Sequence, residues 1–183
     1  MPSVAQTVPF EFERGERSVW IGAPRQGLVL RPTDAFMIPF SFLWAGFAVF
    51  WEASVLRTSA PGFFALWGIP FVLIGVYITI GRFFVDAWRR GRTSYALTSE
   101  RIIIRTGAST KSLTVRTLSD VTLTERHDGS GTITFGPNPF PMSMYAGTPW
   151  PGLAQPPAFE MIAEARSVYS QIRAAQASAA RAG

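Results

Sequence analysis

The chain has 183 residues, no cysteine and one histidine, with 48% hydrophobic and 16% charged residues and a formal net charge of +5. That length is about one domain's worth, but charged residues fall well below the ~25% usual in soluble domains, which favours a membrane protein. A disulfide framework, a thiol nucleophile and a thiolate metal site are excluded, and the basic surplus suits an anionic membrane surface or nucleic acid.

Residues 1–14 read as an N-terminal tail. FEFERGER, Phe10 to Arg17, stands where a secretory signal would need a basic start and an apolar core, so the first span is expected to act as the insertion signal. Residues 15–34 form a pre-membrane segment in which GERSVWIG alternates Ser18 and Trp20 with Val19 and Ile21, the period of a β-strand. From Ala35 to Leu56 the chain is apolar except for Glu52, and from Gly62 to Val85 it is apolar except for Arg82. About 20 such residues cross ~30 Å of hydrocarbon, so each run predicts a transmembrane helix. Pro39 and Pro70 are compatible with that, because neighbouring helices can accommodate proline within a span. Only RTSAP, Arg57 to Pro61, joins the runs, which predicts an antiparallel hairpin with both chain ends on one side. Arg17, Arg25, Arg31, Arg82, Arg89, Arg90, Arg92 and Arg101 flank the outer ends of the hairpin and Arg57 alone lies in the loop. Positive-inside then places both ends in the cytoplasm.

Residues 86–177 change character. TSYALT (93–98), RIIIRT (101–106), SLTVRTL (112–118), VTLTERH (121–127) and TITFG (132–136) are short β-rich runs separated by turn chemistry, which predicts an antiparallel sandwich or barrel. A Pro-rich stretch from Gly136 to Pro157 follows, in which helix is not expected. In residues 158–177 the apolar positions Phe159, Ile162, Ala165, Tyr169 and Ile172 recur every three or four residues, with Glu160 and Glu164 early and Arg173 late. That is the pattern of an amphipathic helix, expected to cap the barrel with the face Phe159, Ile162, Tyr169 and Ile172. Residues 178–183 read as a tail.

GERSVWIGAPRQG, the two apolar runs, YALTSERIII, the meander of short strands and the terminal helix together resemble the bacterial membrane-anchored PH-like (pleckstrin-homology-like) domain proteins. The resemblance covers Gly15 to about Gln176 and is most specific at YALTSERIII. It implies a cytoplasmic PH-like β-barrel capped by a C-terminal helix, with the transmembrane hairpin inserted after its first strand. Such domains are usually binding or scaffolding modules. The long Pro-rich stretch departs from the pattern and leaves the last strands unassigned.

Few residues point to chemistry. His127, followed by Asp128 and a Gly-Ser-Gly turn, reads as an exposed turn residue rather than a general base. One histidine and no cysteine support no metal constellation, and GSGT at 129–132 lacks the lysine and the following helix of a phosphate loop. Arg82, Trp88, Arg89, Arg90 and Arg92 are candidates for gripping anionic lipid headgroups at ~1 kcal/mol per basic residue, beside the plainer reading of a stop-transfer flank with Arg82 snorkelling to the interface. Glu52 is an intramembrane polar candidate by virtue of its place in a span. Gly46 with Ala53, and Gly68 with Gly75, are each seven apart and suggest close helix approach. The expectation is a non-enzymatic inner-membrane protein that presents its PH-like domain to a protein partner or anionic lipid at the cytoplasmic surface. It needs no cofactor and does not bind nucleic acid. The rival readings are an accessory subunit of a larger membrane complex and, disfavoured by the lack of a convergent polar constellation, a membrane-bound enzyme.

Overall fold

A computed structural model describes residues 10–31, 33–58, 61–137 and 156–181. The chain divides into two compact units, one comprising Leu28–Ala87 and the other the preceding segment up to Gly27 together with the chain from Trp88 onward. Most of the Pro-rich stretch, residues 138–155, lies outside the described residues, and with it any strand of that stretch.

The first unit is a helical hairpin of α1 (Asp34–Arg57) and α2 (Gly62–Val76), the latter continuing through a five-residue π-helical turn (Tyr77–Gly81) into α3 (Arg82–Gly91). Both apolar helices are long enough to cross a membrane, and only 17% of the apolar window in each is buried. A core helix of a soluble protein would be mostly buried, whereas here Phe36, Leu43, Phe50 and Leu66 are each more than two-thirds exposed. Small residues make the seam. A Cβ on Gly75 would lie 3.1 Å from the Cα of Ala45, and one on Gly68 would collide with Trp51 and Glu52. Gly46, expected at the seam, has nothing within 4 Å of a Cβ position; Ala45 and the buried Ser41 and Ala48 occupy that face instead. The seam is also stitched by hydrogen bonds. The Thr79 hydroxyl donates to the Gly75 carbonyl at 2.7 Å and approaches that of Ser41 at 3.3 Å, and the Trp44 indole donates to Phe71 O at 3.4 Å.

The second unit is β-rich. β1 (Ser18–Gly22), β2 (Thr93–Thr98), β3 (Arg101–Thr106) and β4 (Ser109–Thr114) form an antiparallel sheet in that order, and β5 (Val121–Glu125), β6 (Gly131–Phe135) and β7 (Ala158–Ile162) form another. β1 pairs with β2 through Trp20↔Leu97 and Ile21↔Ala96, so a strand some seventy residues earlier in the chain completes the sheet. The two-residue loop between β3 and β4 needs Gly107, whose φ of +59° is left-handed. The strand expected over 112–118 divides, because Val115 turns inward, completely buried, and its amide donates to Glu100 O. Val115–Thr117 is therefore a single 3₁₀ turn that carries the chain between sheets.

The larger departure is at 158–164. Phe159 and Ile162, expected on the capping helix, lie on β7, and α4 begins only at Ala165 and runs to Arg181. The run AFEMI satisfies period two as well as period three to four, and short apolar runs do not discriminate between them. The free edge of β6 decides: the ladder pairs Ile133↔Phe159 and Thr134↔Ala158, and Phe135 N–H donates to Pro157 O. A register shift between Gly131 and Ile133, with Met161 at φ 47° and Glu164 at φ 51°, then ends the strand and releases the chain into the helix. α4 covers the sheets through Ala165, Val168 and Ile172, with Tyr169 partly buried beside them. It passes close over the β5–β6 turn, since a Cβ on Gly131 would lie 2.9 Å from that of Ala165. Its helical continuation past 177, where a tail was expected, follows from Ala179 and Ala180, alanine being the strongest helix former.

Phe159 is the centre of the core. Its ring lies 4.7 Å from Tyr95 on β2, 5.1 Å from Phe135 on β6 and 5.4 Å from Trp20 on β1, centroid to centroid. Truncating a buried phenylalanine costs about 3–5 kcal/mol. Phe159→Ala is therefore expected to lower the thermal stability of the β-rich unit and to speed proteolysis between residues 92 and 136 in the membrane-extracted protein, with Trp20 emission reporting the loosened core.

Candidate functional site

The ionisable residues fall into three groups, two of which hold the chain together. At the start of α1 and along α3, two ion pairs cross. Asp34 Oδ1 accepts from Arg82 at 2.5 Å, and Asp86 Oδ1 accepts from Arg31 at 2.8 Å. Arg82 and Asp86, four apart on α3, share one helix face, and Arg31 precedes Asp34 by three residues at the entry to α1. All four side chains are at least 88% buried, from 4% exposed for Asp34 to 12% for Asp86. Asp34 Oδ2 also accepts the Arg31 amide at 2.6 Å, and Arg82 Nε donates to Ile78 O at 2.8 Å within the π turn. Arg82, with Phe83 under its guanidinium at 4.3 Å, is thus internal; the expectation that it snorkels to headgroups is corrected. An acid half a hundred residues away in sequence is its partner.

Arg90 is corrected in the same way. It is 3% exposed, donating to the Arg25 and Gly27 carbonyls at 2.6 and 2.8 Å, while Gln26 donates back to Arg90 O. It secures the segment that leads from β1. A second fastening lies just before β1, where Arg101 Nε and Nη2 donate to the two carboxylate oxygens of Glu16 at 2.9 and 3.0 Å, and Nη1 meets Glu13 at 3.0 Å. The Thr98 hydroxyl adds a 2.6 Å bond to Glu16, whose side chain is 1% exposed. Burial pushes the Glu16 carboxyl up, but the bonds to Arg101 and Thr98 outweigh it and bring it from 4.5 down to about 2. The same pairing raises Arg101.

The third group faces outward. Trp88 is 58% exposed, Arg89 and Arg92 are exposed, and the Arg92 guanidinium lies 4.0 Å over the Trp88 ring. Of the five residues proposed for headgroup contact, these three form an accessible aromatic–basic patch immediately after the second apolar run. Glu52 packs on Gly68, with Oε2 buried and unpartnered. His127 is exposed in its turn, where Asp128 accepts from Ser130 N–H and Oγ–H and lies 3.2 Å from Arg25. Those bonds from Ser130, with the nearby guanidinium, lower the Asp128 carboxyl. No group of three or more His, Cys, Asp and Glu that could hold a metal occurs among the described residues. Of the functional charges, Asp34 and Asp86 were passed over in the sequence; their signal was the pairing of each with an arginine three or four residues away.

Breaking one partner of a buried pair leaves an uncompensated charge at about 3–5 kcal/mol, whereas an apolar replacement of both is near neutral. Asp34→Ala is expected to lower the melting temperature of the hairpin in detergent, and Asp34→Leu with Arg82→Met to restore it. Because the folded Glu16 carboxyl lies below its ordinary value, its contribution is complete above about 4.5 and is lost as pH falls toward about 2. Thermal melts across that window should show a falling limb that Glu16→Gln flattens.

Comparison with protein-family models, curated proteins and solved structures returned no match. The chain is described by its own architecture: two helices apolar enough to cross a membrane, antiparallel sheets and a C-terminal helix.

Proposed function

We propose that this chain is a non-enzymatic, multi-pass protein of a bacterial inner membrane, in which α1 and α2 form a transmembrane hairpin with both termini cytoplasmic. The β-rich unit, read as a PH-like domain, is a binding or scaffolding module at the cytoplasmic surface. The observation that carries this reading is the outward face of the hairpin, where Phe36, Phe42, Leu43, Phe47, Phe50 and Leu66 are all more than 60% exposed. So much contiguous apolar surface is stable against lipid and not against water. The arginine distribution supports the orientation. Trp88, Arg89 and Arg92 support contact with anionic headgroups, at about 1 kcal/mol for each basic residue.

The chain has no cysteine, so single cysteines report topology without further changes. Thr58→Cys, in the loop, should react with an impermeant maleimide in intact cells, and Ser178→Cys, near the end of α4, only after lysis. Extraction of the protein by alkaline carbonate would overturn the membrane reading, and the reversed labelling pattern would overturn the orientation.

A further inference from the structure

The β-rich unit carries a groove of about 520 Å³ between the 3₁₀ turn at Val115–Thr117 and the last turns of α4, lined by Val115, Arg116, Arg173, Gln176, Ala177 and Ala180. Its volume lies within the range of ligand clefts, about 300–1,000 Å³. α4 is seated on the core by Ala165, Val168 and Ile172 and then lines the groove with Arg173, Gln176 and the small side chains of Ala177 and Ala180. Val115, completely buried, is its base. The helix is fixed at this point by the Gln176 amide, which donates to Leu118 O at 3.0 Å. The Gln176 carbonyl oxygen in turn accepts from Arg173 Nη1 at 3.0 Å, so that guanidinium is held at the rim rather than free to wander.

The charge on this groove is of one sign. Elsewhere on the same unit Arg25 meets Asp128, Arg101 meets Glu13 and Glu16, and Arg166 meets Glu125. Arg116 and Arg173 are exposed, and among the described residues no carboxylate lines the groove and neither arginine has an acidic partner. Exposed alanine methyls between two guanidinia suit a peptide with an apolar side chain between carboxylates. A free phosphate would use only the rim.

We propose that this groove docks an acidic peptide segment of a protein partner, with an aliphatic side chain seated against Ala177 and Ala180 and carboxylates on Arg116 and Arg173. This rests on the reading of the β-rich unit as a cytoplasmic binding module and names the chemistry of its partner. Arginine–carboxylate bonds are charge-assisted and favour bidentate geometry, and their strength at an exposed rim depends on salt.

The full chain in nanodiscs of phosphatidylcholine alone, which offer no anionic headgroups, is titrated with a fluorescent peptide carrying leucine between glutamates. Saturable binding is expected, weakened about tenfold by Arg173→Ala and by Arg116→Ala, weakened by added salt, and abolished by Ala177→Trp, which fills the groove. The same peptide with lysines in place of glutamates should not bind. The proposal is overturned by absence of saturable binding, by equal binding of the lysine peptide, or by arginine variants that bind as well as the native chain. It is equally overturned if those variants leave the peptide titration unchanged while losing bound phosphatidylglycerol in native mass spectrometry, or while losing self-association. The cysteine labelling above reports the anchored-module reading separately, so a correctly oriented protein that ignores the acidic peptide refutes the groove alone.

Discussion

The Phe159 side chain is the contact on which the β-rich unit depends. β7 is short, follows a Pro-rich stretch and has a strand partner in β6 alone. Yet its one fully buried aromatic ring touches rings from β1, β2 and β6. The four strands concerned are far apart in sequence, and two of them belong to each sheet. Aromatic pairs contribute about 0.5–1.5 kcal/mol beyond the area they bury, so the cluster joins the sheets where no backbone ladder does. The Tyr95 hydroxyl also accepts the Glu160 amide at 3.1 Å, which positions β7 against β2 without a strand pair between them.

Arginine serves two opposite purposes in this chain. Arg31, Arg82, Arg90 and Arg101 are drawn inward and spend their donors on carboxylates and backbone carbonyls of remote segments. Each fastens a stretch without regular structure of its own, or the end of a helix, to something rigid. Guanidinium suits this because its fork of donors can meet several acceptors at once. Arg89, Arg92, Arg116 and Arg173 are turned outward. The net charge of the chain says nothing about this division, since every arginine counts equally in it.

The hairpin shows the same economy with small residues. A Cβ on Gly75 would press on the Ala45 backbone and one on Gly68 would displace the Glu52 and Trp51 side chains, and beyond the π turn Arg82 and Asp86 meet Asp34 and Arg31. Buried ion pairs contribute little net stability, because desolvation offsets attraction. Their effect here is to favour one rotation and register of the helices, since any other would leave four charges unpaired.

The sequence by itself determined the features whose physics is local. A run of twenty apolar residues is a helix long enough for a bilayer whatever surrounds it, and short β-rich runs such as TSYALT and RIIIRT, separated by turn residues, read as strands. The C-terminal helix was legible for the same reason from Ala165 onward, where period and alanine content agree. Where two periods fit equally, as in AFEMI, the choice fell to the open edge of β6, a partner that no local window contains. Where a side chain had two possible destinations, as Arg82 had the interface or an acid, the tertiary structure decided by bringing Asp34 within reach. Which glycine lies in the seam, and which arginines face outward, likewise depend on the rotation of one element against another, a quantity set by all their contacts together and by none of them alone.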